Sequence, residues 1–196
     1  MSQFLILAML ILAVAAAPEA RAVDAEAGRR KAEVCAQCHG AAGNSTNPLV
    51  PSLAAQPALY THWQLILFRD GRRKDPQMTQ FAVNLSDTDM EDLSVYFAVQ
   101  TPVVASGPGD PGTTAAGKRL VEAHHCNSCH APGLVGQQHI PRLAGQHYEY
   151  LLKQLRGFKA QTRAELDGSM TTAAQPLSEE DIENLARYIA GLQPAP

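Results

Sequence analysis

Apolar residues recur at helical spacing in six stretches of the chain, and no stretch alternates convincingly in twos. The pattern predicts helices over residues 25–36, 59–69 and 87–99, then over 114–125, 148–159 and 179–192. The last helix of each set is the best bounded. Ser86 with Asp89, and Ser178 with Asp181, have the capping-box arrangement, in which the hydroxyl accepts from a free backbone N–H and the acid suits the helix dipole. The expected fold class is all-α.

The two sets of helices are copies. Pro51-Ser52-Leu53-Ala54-Ala55-Gln56 answers Pro141-Arg142-Leu143-Ala144-Gly145-Gln146, and Tyr60, Gln64, Leu65 and Phe68 answer Tyr150, Gln154, Leu155 and Phe158. Met78 and Met170 each precede a Leu-Ser pair by the same interval, and the helical patterns that follow carry Leu93 and Tyr96 or Leu185 and Tyr188. The offset grows from about 89 to about 92 residues, which duplication explains most economically. Residues 101–112 hold three prolines and three glycines and read as an exposed linker. The expected organisation is therefore a leader over 1–22, one domain over 23–100, the linker over 101–112 and a second domain over 113–196.

The leader is a short apolar run, Phe4 to Ala17, followed by Ala20-Arg21-Ala22 as a cleavage site for export. Its first residues lack Lys and Arg, and retention as an anchor is the alternative, although the run is shorter than the roughly 20 residues of a spanning helix. Formal charge is −3, with no large run of one sign. Nucleic-acid binding is unsupported. Arg72-Arg73-Lys74 reads as a solvated loop, its functional alternative being an orienting patch for a redox partner.

All four cysteines lie in two copies of Cys-X-X-Cys-His, Cys35 to His39 and Cys126 to His130. Two thiols on one tight turn can each add to a vinyl group of the same porphyrin, and the adjoining imidazole then lies beneath the iron. Zinc would need a further ligand in each half, and the remaining histidines do not stand at matching positions. A redox dithiol expects a βαβ setting that is absent from the pattern. Two covalent haem c groups are thus expected, on Cys35 and Cys38 and on Cys126 and Cys129, with His39 and His130 as proximal ligands. Met78 and Met170 are the candidates for the opposite face, because they alone among the methionines recur in equivalent, polar, loop-like settings. His62, His124, His125, His139 and His147 are assigned to surface or supporting roles, and the paired tyrosines to packing.

These residues resemble the two-haem cytochrome c4 family, in which each half is a class I cytochrome c fold. The resemblance runs from about Ala25 to Leu192 and is carried by Cys35 to Gly40, Ile140 to Gln146, Tyr150 to Phe158, and the two methionines with the Leu-Ser that follows each. It implies His/Met coordination at both irons and a proline carbonyl, Pro51 or Pro141, against each proximal imidazole. Ala55 departs from the second half's Gly145. The implied function is electron transfer in a periplasmic respiratory chain, from a membrane donor to a terminal oxidase, by a carrier that is free or loosely associated with the membrane. The alternative is the cytochrome subunit of a larger dehydrogenase, for example a flavin-containing, sulfur-oxidising one. An independent enzyme would need an open or labile iron, which the paired ligands do not offer.

Overall fold

The computed structural model describes residues 22–103, 111–163 and 165–193. The leader through residue 21 and the centre of the linker, 104–110, lie outside the described residues. The first half comprises α1 (Ala25–Lys31), α2 (Ala36–His39), α3 (Ala58–Arg69), α4 (Pro76–Ala82) and α5 (Asp87–Ala98). The second comprises α6 (Pro111–Ala123), α7 (Cys126–His130), α8 (Tyr148–Lys159), α9 (Ser169–Ala174) and α10 (Glu179–Ala190). Among the described residues the only β-pairing is an isolated bridge between Gln137 and Ile140.

In each half the first and last helices cross closely, and a glycine sets the distance. A Cβ on Gly28 would fall on the Asp92 carbonyl oxygen and 2.8 Å from Tyr96 Cβ. One on Gly117 would strike Tyr188 Cβ and the Asn184 carbonyl, the equivalent atoms of the other half. Both capping boxes form: Ser86 Oγ accepts from Asp89 N–H at 3.1 Å, and Ser178 Oγ from Asp181 N–H at 3.1 Å. Local rules therefore place these helices, and the crossing glycines let them pack.

Apart from shifts of one or two residues at helix ends, the structure departs from the sequence expectation in three places. The first helix stops at Lys31 and continues only as turns toward Cys35, while α6 already begins at Pro111, inside the expected linker. The third difference concerns the methionines. Met78 and Met170 lie in short helices, α4 and α9, not in loops. For α4 the signal was present, since Asp75 accepts from Gln77 and Met78 N–H groups and Pro76 supplies a preset first turn. The six and seven residues involved are too few to show a helical period.

Candidate haem sites and the interface between the halves

Each Cys-X-X-Cys-His segment is a single tight helical turn. In the first half, the N–H groups of Cys38 and His39 both donate to the Cys35 carbonyl, at 3.1 and 2.9 Å. The four thiols are free of disulfides, Cys38 and Cys129 exposed and Cys35 and Cys126 half-buried, with burial pushing the latter two thiols up in pKa. The turn leads directly into a buried imidazole. His39 and His130 are 6% and 5% exposed. A carbonyl can only accept, so their contacts with Pro51 O at 2.8 Å and Pro141 O at 2.9 Å put the proton on Nδ1 and leave Nε2 with its lone pair. Burial lowers both pKa values, against the opposing effect of these proline carbonyls. A neutral, oriented imidazole is the form that binds iron.

Acidic side chains position the two methionines differently. Asp75 Oδ1 takes the Met78 N–H at 3.1 Å. In the second half Asp167 takes Ser169 N–H at 3.0 Å, while Glu165 accepts from Met170 N–H at 2.8 Å and Thr171 N–H at 2.5 Å. Both methionines are half-buried, and Met170 packs against the core of its half.

The surface between the halves is a set of reciprocal polar contacts. Gln56 Nε2 donates to Arg142 O at 2.8 Å and its Oε1 accepts from Arg142 N–H at 3.1 Å. Its repeat equivalent Gln146 does the same to Ser52, at 2.9 and 2.9 Å. His147 adds a contact from Nε2 to Ser45 O at 2.9 Å, so this histidine is an interface residue.

Arg73 corrects the expected solvated loop. It is 8% exposed, lies over the Phe68 ring at 4.5 Å, and donates to Gln64 Oε1 at 2.6 Å and across the interface to Tyr150 Oη at 2.9 Å and Gln154 Oε1 at 3.1 Å. Its neighbours Arg72 and Lys74 are exposed, as expected. Arg163 repeats the arrangement over Phe158 at 4.1 Å and reaches Tyr60 Oη at 3.4 Å. The Tyr60 and Tyr150 hydroxyls thus serve the interface. The available signal was an arginine five residues after Phe68 and again after Phe158.

Arg142 is 2% exposed and donates to Ala54 O at 2.8 Å and to Ala144 O, leaving Nε without a partner. Burial lowers its pKa to about 10. Among the described residues no carboxylate pairs with Arg73, Arg142 or Arg163. Buried cations without anions are costly, and haem carries two propionate carboxylates, so this donor set fits the group as well as the thiols and imidazoles do.

Comparison with known proteins agrees with the geometry. The cytochrome c family model matches twice, over residues 25–98 and 114–193. The chain is 39% identical to cytochrome c4 of Pseudomonas aeruginosa, over 98% of its own length and all of that protein. The crystal structure of reduced recombinant cytochrome c4 from Pseudomonas stutzeri superposes with a TM-score of 0.81 at 38% identity, covering 88% of this chain and 100% of that one. A thiosulfate dehydrogenase from Marichromatium purpuratum gives a TM-score of 0.77 at 32% identity, covering 86% of this chain and 40% of that one.

Proposed function

The chain belongs to the cytochrome c family and, within it, to the cytochrome c4 type, an electron carrier with two covalent haem c groups, and we propose that it passes electrons from a membrane donor to a terminal oxidase in the periplasm. The observation that carries this reading is the duplicated proximal arrangement: a Cys-X-X-Cys-His turn followed by a buried histidine whose Nδ1–H is committed to a proline carbonyl. In the proposal Cys35 and Cys38 hold one haem and Cys126 and Cys129 the other. His39 and His130 are the proximal ligands, and Met78 and Met170 are the distal ones. The domains span 23–100 and 113–196, after a leader over 1–22 and about a linker over 101–112.

When bound, each haem would supply a one-electron ferrous/ferric couple, and a methionine ligand would raise its potential relative to two histidines. The chain's own residues do the rest. Pro51 and Pro141 orient the two rings and raise their basicity, and Asp75 and Glu165 fix the backbone at the two methionines. Arg73, Arg142 and Arg163, with no carboxylate partner among the described residues, would offer positive charge to the propionates. With His39 and Met78, or His130 and Met170, as its ligands, each iron would have no vacancy for a small substrate, and transfer would run to and from protein partners. Among the described residues no helix is long and apolar enough to cross a membrane.

A second reading, a dedicated electron acceptor within a dehydrogenase, is favoured by the likeness to part of a thiosulfate dehydrogenase. Stopped-flow mixing of the oxidised holoprotein with a thiosulfate dehydrogenase, and of the reduced holoprotein with a terminal oxidase, separates the two: rapid turnover with the oxidase alone supports the first. The ligand assignment is tested by Met78→Ala and Met170→Ala, each expected to abolish about half of the methionine-to-ferric-iron absorption band with both haems retained by mass. An unchanged band in either variant rejects that ligand.

A further inference from the structure

One peptide group in each half is held from both sides, by its own half's histidine and by the other half's glutamine. The Pro51–Ser52 peptide accepts at its oxygen from His39 Nδ1–H, 2.8 Å, and donates from its nitrogen to Gln146 Oε1, 2.9 Å. The Pro141–Arg142 peptide accepts from His130 Nδ1–H, 2.9 Å, and donates to Gln56 Oε1, 3.1 Å. The amide orientation of both glutamines is settled by their partners. In each case the neighbouring backbone N–H can only donate and the carbonyl can only accept. Gln146 and Gln56 are buried, at 3% and 4% exposure, and Gln146 Oε1 also accepts from His147 N–H at 3.1 Å. Nothing about this arrangement serves packing alone, since an apolar side chain would fill the same volume.

We infer that Gln146 and Gln56 are crossed positioning residues: each sets, through one peptide group, the proximal histidine and hence the reduction potential of the haem in the half to which it does not belong. The physical link is amide polarisation. A peptide whose N–H is donated to an acceptor carries more charge on its oxygen, and hydrogen bonds chained in this way strengthen one another inside a low-dielectric interior. A stronger acceptor draws the Nδ1 proton, makes the imidazole a better donor at Nε2 and favours ferric over ferrous iron. Loss of the glutamine therefore raises the potential of the opposite haem. The second donation, from Nε2 to Ser52 O or Arg142 O, engages the next peptide group and so holds the glutamine amide in register with the first. A disturbance of the interface is accordingly felt at both irons, and each half reports on the other.

The inference rests on His39 and His130 being the proximal ligands. That reading is checked separately by His39→Ala and His130→Ala, each of which must destroy the low-spin spectrum of its own haem. The crossed effect is tested in the holoprotein with Gln146→Leu and Gln56→Leu, by redox titration with each potential assigned to its half from paramagnetically shifted NMR signals. Gln146→Leu is expected to raise the potential of the haem on Cys35 and Cys38 and to leave the other in place; Gln56→Leu is expected to do the reverse. Gln146→Glu, which replaces the amide acceptor with a stronger, charged one of nearly the same shape, is expected to lower the potential of the first haem below the parent value and to move it more than that of the second. It also decides the matter if the leucine variants fail to assemble. A shift in the variant's own half, equal shifts in both halves, or no shift with the histidine ligation verified overturns the inference.

Discussion

The last helices of the two halves, α5 and α10, bury the same positions with different chemistry. Met90, Leu93, Ser94 and Phe97 of α5 correspond to Ile182, Leu185, Ala186 and Ile189 of α10, and all eight are buried. In the second half they join Val121, Leu134, Leu151, Phe158, Ala174 and Leu177 in one continuous apolar cluster. The first half gathers a smaller cluster, Ala32, Leu93 and Phe97, beside a fully buried Asp92. Asp92 accepts from Lys31 Nζ at 2.7 Å and from the backbone N–H of Asp24 at 2.9 Å, whereas its counterpart is Asn184. Duplication thus kept the burial pattern, which the helix crossing demands, and left the contents free to diverge. One half is held mostly by aliphatic packing and the other partly by an ion pair.

The strongest challenge to this comparison is to overpack the crossing shared by both halves. Gly28→Ala and Gly117→Ala each place a methyl against a backbone carbonyl and are expected to cost about 3 kcal/mol. Native-state hydrogen exchange, which resolves α5 from α10, should show each loss in its own half. A tolerated substitution in one half would mean that the crossings are not equivalent.

A smaller effect is expected at the interface, where the repeat is geometrically uneven. Arg73→Met removes two hydrogen bonds to the other half and one to Gln64, and should cost about 2 kcal/mol. Arg163→Met removes one contact of 3.4 Å and should cost less than about 1 kcal/mol. Denaturant unfolding of the holoprotein checks the order, and equal losses would restore the symmetry.

The smallest effect separates the halves by pH. Lys31, followed by Ser86, pulls the Asp89 carboxyl down to about 2, and Lys31 lies 2.8 Å from it. A carboxylate depressed in the folded state adds stability above its unfolded pKa and loses it as pH falls through the folded value. Solvent screens this partly exposed pair, so the first half should lose no more than about 1 kcal/mol relative to the second between about pH 4 and about pH 2. Asp181, the counterpart, is lowered mainly by Ser178. Asp89→Asn should flatten the difference, and hydrogen exchange in α1 and α5 across this range measures it.

Ala55 shows how far a departure from the repeat can be absorbed. It adopts φ 53° where Gly145 adopts 69°, a left-handed conformation that costs a non-glycine residue roughly 1 kcal/mol. The turn persists because its N–H donates to Phe97 O at 2.9 Å, as Gly145 N–H does to Ile189 O at 3.1 Å. Anchoring to the last helix outweighs the local preference.

What the sequence determined by itself was chemistry that acts over short stretches: the two Cys-X-X-Cys-His turns, the capping boxes, the helical periods and the repeated order of landmarks. The first three are legible because their parts lie within a turn or a few turns of one another, and the last because two copies of one chain segment can be matched position by position. The tertiary structure alone decided that Gln56, Gln146 and His147 join the halves, that Arg73 leaves the solvated cluster in which it sits in sequence, and that Arg142 is buried with no carboxylate against it among the described residues. Their partners across the interface stand 77 to 102 residues away. No local pattern encodes such a contact, because whether a polar side chain meets water or another backbone is settled only when two separately formed surfaces close on each other.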